Sequence, residues 1–187
     1  MQPAHVPPPT DLDVPVRELI LELAGHLGVP AFVAECTALM GGAPRSAHQP
    51  ALRYLAGRSF DAEGEWDPYW WRTWGARGLL HVWDDSATGS VVAGLADEHW
   101  RPAEMCLKVS TRHEVAGSAE GAAALVVHEL PRVRAQALRT LAVTGDSEHL
   151  DLVRQRIDDP DEAVRRQARR ALDRLGRRLD LDPEGWT

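Results

Sequence analysis

Lysine is nearly missing from this sequence: one lysine stands against twenty arginines. With abundant Ala, Gly and Leu, that reads as the coding bias of a GC-rich bacterial genome and carries no function. Cysteine is scarce too. Cys36 and Cys106 lie in apolar helical surroundings and never as CxxC, so the reading is two buried free thiols, with neither a disulfide nor a thiolate metal site. No apolar run approaches the length of a bilayer span, and no charged segment followed by an apolar one opens the chain. The expectation is a cytoplasmic protein with no membrane partner. Eight histidines are scattered without metal-ligand spacing. No glycine-rich phosphate loop and no nucleophile beside a base stands out. No catalytic residue, metal or cofactor is therefore expected.

What is present is 44% apolar residues, enough for a sizeable core, and a net charge of −7. That balance lacks the basic excess of a nucleic-acid binder. The charge is uneven. Residues 131–187 hold 12 Arg against 11 acids, while residues 1–68 hold 4 Arg against 9. Only the C-terminal third leans basic.

The chain repeats itself. "VRAQALRTL" (133–141) aligns with "VRRQARRAL" (164–172) at an offset of 31, and two further steps back give "PAEMCLKVS" (102–110) and "WRTWGARGL" (71–79). Small residues share one column (Gly75, Cys106, Ala137, Ala168), and cations another (Arg77, Lys108, Arg139, Arg170). Behind each stretch lies a second apolar one, with columns Val91/Ala122/Val153 and Leu95/Val126/Ile157. A helix pair of 31 residues cannot bury its own faces. Stacked on its neighbours it makes an α-solenoid.

"DPDEAVRRQARRALDRLG" and "ELPRVRAQALRTLAVTG" carry an Asp-Pro turn, a Val-Arg pair and an A-x-x-A-L helix. On these features the chain resembles HEAT-like repeat proteins, the short variety also seen in phycobilisome lyase-type (PBS lyase) proteins, over about Asp67 to Gly176. It is similar as a whole to uncharacterised bacterial HEAT-repeat proteins. The resemblance implies an all-α fold: an α-solenoid of about four HEAT-like helix pairs, first helices convex and second helices concave. The expected organisation is a disordered Pro-rich N-terminus (1–15), an N-terminal helical cap (16–66) and the solenoid (67–187). Within the cap, "VPVRELILELAGHLG", "PAFVAECTALMGG" and "ALRYLAG" read as helices.

Four of seven tryptophans crowd into "YWWRTWGARGLLHVW". Trp71 falls in an apolar column and is expected in the core. Trp74 shares its column with Met105, Gln136 and Gln167, which turns polar, so its side chain is expected away from the core. Trp70, Trp74 and Trp83 form a candidate partner patch, against the plainer reading of packing on the N-terminal helices. Trp100 is expected to staple its helix start. Asp84 and Asp85 stand at cap positions. Arg72, Arg134 and Arg165 each follow an acid (Asp67, Glu129, Asp161), which suggests salt bridges within each turn.

The second helices are small and apolar on their far side: Val92, Ala93 and Ala96, then Ala123, Ala124 and Val127, ending in Arg154, Gln155 and Asp158. Val92, Ala93, Ala123, Ala124 and Arg154 are the candidate groove for a protein or peptide partner. The expected function is a non-catalytic protein–protein interaction module, an adaptor or scaffold. The rival from another class is a DNA-interacting HEAT-like protein of the alkylpurine DNA glycosylase kind, with Arg139, Arg166, Arg170 and Arg174 as nucleic-acid candidates. A lyase- or chaperone-like partner of a tetrapyrrole protein rests on repeat type alone.

Overall fold

The computed structural model describes residues 6–181, which form ten α-helices and four single-turn 3-10 helices, with no strand among them. The chain parts into two compact units, Met1–Gly94 and Leu95–Thr187. The first repeat pair thus belongs to the same compact unit as the helices expected to cap it.

The first unit contains α1 (Val16–Leu27), α2 (Val29–Met40), α3 (Arg45–Ala56), α4 (Tyr69–His81) and α5 (Thr88–Gly94). Gly28 separates α1 from α2 at φ +75, a left-handed conformation that glycine adopts without steric cost. Pro30 then sits in the first turn of α2, where its missing N–H is no loss. α3 starts six residues before the expected Ala51 and runs through Pro50. Leu19, Ile20, Leu23, Phe32, Cys36, Leu39, Leu52 and Leu55 are fully buried between these helices. α2 and α4 make the closest approach, and the sequence permits it at two glycines. A Cβ on Gly75 would stand 2.6 Å from the Cys36 carbonyl oxygen, and one on Gly78 2.5 Å from the Cys36 sulfur. Residues 6–15 form no helix, turn at Leu12 and Asp13, and are tied down. Tyr54 donates its hydroxyl to the Pro7 carbonyl at 2.9 Å, Thr10 donates to Glu22 at 2.6 Å, and Arg58 pairs with Asp13. The disorder expected for residues 1–5 lies outside the described residues.

The second unit contains α6 (Trp100–His113), α7 (Ala119–Leu125), α8 (Pro131–Thr144), α9 (Leu150–Arg154) and α10 (Glu162–Arg178). α8 packs against α6 on one side and α10 on the other, so the three first helices form a layer. α7 lies on α8, and α9 on α10, forming the second layer. The second helices are short, at seven and five residues. The repeat columns become the core. Val133 and Val164, Cys106, Ala137 and Ala168, and Ala122, Val126 and Val153 are all fully buried. This stacking is the α-solenoid architecture in its smallest form. At α10 the pattern changes. Ala135, Leu138 and Ala142 are buried in α8, and their counterparts one repeat later are the exposed Arg166, Arg169 and Asp173.

The two glycine environments give opposite expectations. Gly75→Ala forces a methyl against a backbone carbonyl that cannot step aside, and we expect a loss of about 1–3 kcal/mol despite the better helix propensity of Ala. Gly89→Ala, in α5 with nothing within 4 Å, is expected to be neutral or to stabilise by up to about 1 kcal/mol. Urea unfolding of the two variants checks both signs.

Candidate functional site

The turns of the second unit are built by one repeated device. Residues 97, 128 and 159 share a column, and each accepts the backbone N–H two residues on: His99 to Asp97 (2.9 Å), Leu130 to His128 (3.0 Å) and Asp161 to Asp159 (3.0 Å). The arginine column then ties the turn to its helix. Arg134 Nη1 donates to the carbonyls of His128 and Glu129, at 2.9 and 3.0 Å, and Arg165 Nη1 does the same to Asp159 and Pro160, at 2.9 and 3.0 Å. In these two turns the expected salt bridges, Arg134 with Glu129 and Arg165 with Asp161, are therefore replaced. The Glu129 partner is a carbonyl, and the Asp161 carboxylate instead caps α10, accepting from Ala163 and Val164. Arg134 finds its carboxylate one repeat further on. Its Nε and Nη2 clamp both oxygens of Asp159 at 2.9 and 2.7 Å, with the Asp159 side chain only 2% exposed. Burial alone pushes the Asp159 carboxyl up. The Arg134 hydrogen bonds, the Asp161 N–H, and the charges of Arg134 and Arg156 outweigh it and hold the carboxyl below its ordinary value.

A polar seam joins the three first helices. Gln136 donates to the Thr111 hydroxyl at 3.1 Å, and Thr140 donates to the Leu107 carbonyl at 3.0 Å. Arg139 donates to Gln136 at 3.0 Å and to Gln167 at 3.2 Å. Gln136 and Gln167 are thus buried amides with partners, and the inference that a polar column faces away from the core is corrected. Trp74, in the same column, is 3% exposed. Trp66, Trp70, Trp71 and Phe60 pack around it at ring distances of 5.3–6.1 Å. It belongs to the core of the first unit and leaves the candidate patch.

The two remaining members of the candidate patch, Trp70 and Trp83, are half-buried. Trp70 borders the Trp74 cluster, and the Trp83 indole donates to Asp85 at 3.0 Å. Asp84 caps its turn by accepting from Ser86, and those hydrogen bonds lower its carboxyl. Trp100 does not serve as an apolar staple alone. The Arg101 and Arg132 guanidinium carbons stand 4.4 and 4.8 Å from its ring centre, while Arg132 donates to both carboxylate oxygens of the buried Glu104. In the cation column, Arg77 turns inward. It donates to the Leu55 carbonyl, and burial lowers it to about 10.

Of the groove candidates, Val92 (half-buried) and Ala93 (exposed) belong to the first unit, and the rest to the second. There Ala124 is exposed, Ala123 half-buried, and Arg154 paired with Asp151 at 2.6 Å. Val127 was not in the candidate groove, though it closed the second apolar triplet. It is 63% exposed, the highest among the exposed large apolar residues described. Of the nucleic-acid candidates, Arg166, Arg170 and Arg174 recur every four residues on α10, all exposed. Arg139 is exposed on α8 but spends two nitrogens on the glutamines.

Burial and the Asp97 charge push Cys106 up to about 12, and burial with Glu35 raises Cys36, so neither thiol is a nucleophile at neutral pH. Glu120, Glu148 and His149 present ligand atoms within 4.8 Å of one another. His149 Nδ1, however, accepts the Asp146 N–H at 3.0 Å, which places the proton of the neutral ring on Nε2, facing Glu120 at 3.7 Å. A protonated Nε2 has no lone pair for a metal. The trio is a helix cap with an acid beside it.

Residues 120–183 match the family model described as HEAT repeats. No curated protein and no solved structure matches the chain.

The buried clamp sets a stability expectation. Asp159→Ala strands the Arg134 guanidinium and is expected to cost about 3–5 kcal/mol, whereas the paired Arg134→Met, Asp159→Leu costs less than that single change. Because the folded carboxyl is held low, its contribution is present above the unfolded value of about 3.9 and fades as pH falls through the folded one. Denaturant unfolding of wild type and Asp159→Ala should therefore converge in acid.

Proposed function

We propose that this chain, a HEAT-repeat protein over residues 120–183, is a non-catalytic interaction module that takes a protein partner on the second-helix side of the unit Leu95–Thr187. The observation that carries the reading is Val127, 63% exposed beside the exposed Ala124 and half-buried Ala123. Short side chains let a partner backbone approach, and an apolar centre with a polar rim is how an interface excludes water. The rim here is acidic: Glu120, Asp151 and Asp158 are exposed in these same segments. Both features select an amphipathic partner segment with apolar anchors and basic flanks. HEAT repeats commonly serve protein–protein contact, which fits this reading. The half-buried Trp70 and Trp83 of the first unit remain candidates for a separate contact.

Val127→Glu leaves the core untouched and places a charge at the centre of the patch. In affinity capture from lysate, after nuclease treatment, the wild type is expected to retain a protein that Val127→Glu loses at least about tenfold, the scale of one central anchor. Identical retention by both proteins, with unchanged circular dichroism, would overturn the assignment.

A further inference from the structure

The net charge conceals a separation within the second unit. α6, α8 and α10 together hold thirteen Arg and Lys against three acids. The remaining described residues of that unit hold two Arg against twelve acids. We propose that the basic first-helix side, centred on α10, binds the phosphate backbone of nucleic acid without reading base sequence.

The cations are available. Arg112, Arg169 and Arg170 are exposed and form no ion pair among the described residues. Arg166 and Arg174 reach Glu162 and Glu114 at 2.6 and 3.7 Å, in exposed, weakly held pairs that exchange readily for phosphate. α10 has 17 residues, about 25 Å at 1.5 Å per residue, long enough to follow several phosphates. A solvent-facing side explains why Arg166 and Arg169 replace buried apolar residues of α8. It does not explain the sign, since seven arginines against two acids on α10 is far more than solubility requires. A membrane surface is the poorer match. Among the described residues the exposed large apolar ones are Leu12, Leu21, Val29, Val127 and Leu181, and none lies on α6, α8 or α10 to insert into lipid.

The test is fluorescence anisotropy of a labelled duplex of arbitrary sequence, titrated with the full chain across a salt series. Binding is expected at about 50 mM salt, with log K falling by about 0.9 per neutralised phosphate for each unit of log salt, and with scrambled duplexes bound equally. Arg169→Glu with Arg170→Glu should weaken binding at least about tenfold and flatten the salt slope by roughly two contacts. The milder Arg169→Gln, Arg170→Gln pair gives the same direction should the charge reversal disturb folding. Val127→Glu should leave DNA binding unchanged, which separates this side from the proposed protein site. Absence of binding at low salt, indifference to both Arg pairs, or binding only to phosphatidylserine vesicles would overturn the proposal.

Discussion

A guanidinium buried between two turns holds the second unit in register. Arg134 has no route to water for most of its donors, so each must be met by protein. It meets them in two directions: back to the carbonyls of the turn that launches α8, and forward to the carboxylate of the turn that launches α10. Asp159 in turn holds the Asp161 N–H, and Asp161 caps α10. One helix start is thus coupled to the next through a chain of satisfied polar groups, each dependent on the one before. The preceding joint has Ala103 and His128 in the two clamp columns, so the ion pair is absent there, and the link between α6 and α8 moves to Glu104 and Arg132 on the helix flank.

The separation of charge follows from the same chemistry. Acids collect in the turns because carboxylates cap helix starts and complement their dipoles, as Asp146 and Asp161 do, or hold the turn backbone, as Asp159 does. Arginines are left to the long first helices, where some turn inward to satisfy carbonyls and amides and the others face solvent. A unit assembled this way acquires one basic side and one acidic side. The acidic side also carries the small apolar residues, while the basic side lacks exposed apolar anchors. That difference in surface chemistry, rather than any reactive group, is what the two proposed contacts rest on.

The period of 31, the buried columns, the helix pairs and the cap at Asp84 were legible in the sequence, because spacing, capping and small-residue packing are local rules. The glycines that let α2 and α4 touch were visible as letters only. Their purpose needs the partner helix, which lies about forty residues earlier. Trp74 was misplaced for a related reason. A column that turns polar looks solvent-facing when read by itself, yet Gln136 and Gln167 are buried because Thr111 and Arg139 arrive from elsewhere to satisfy them.

What the sequence determined by itself was the repeat, the all-α class, and the position of each apolar face, since periodicity fixes which side chains must leave water. Only the tertiary structure decided where the polar groups went. Arg134 could have paired with Glu129 by proximity along the chain. It pairs with Asp159, 25 residues away, because folding buries both together, and a buried charge is stable only where its partner and its hydrogen bonds are already in place.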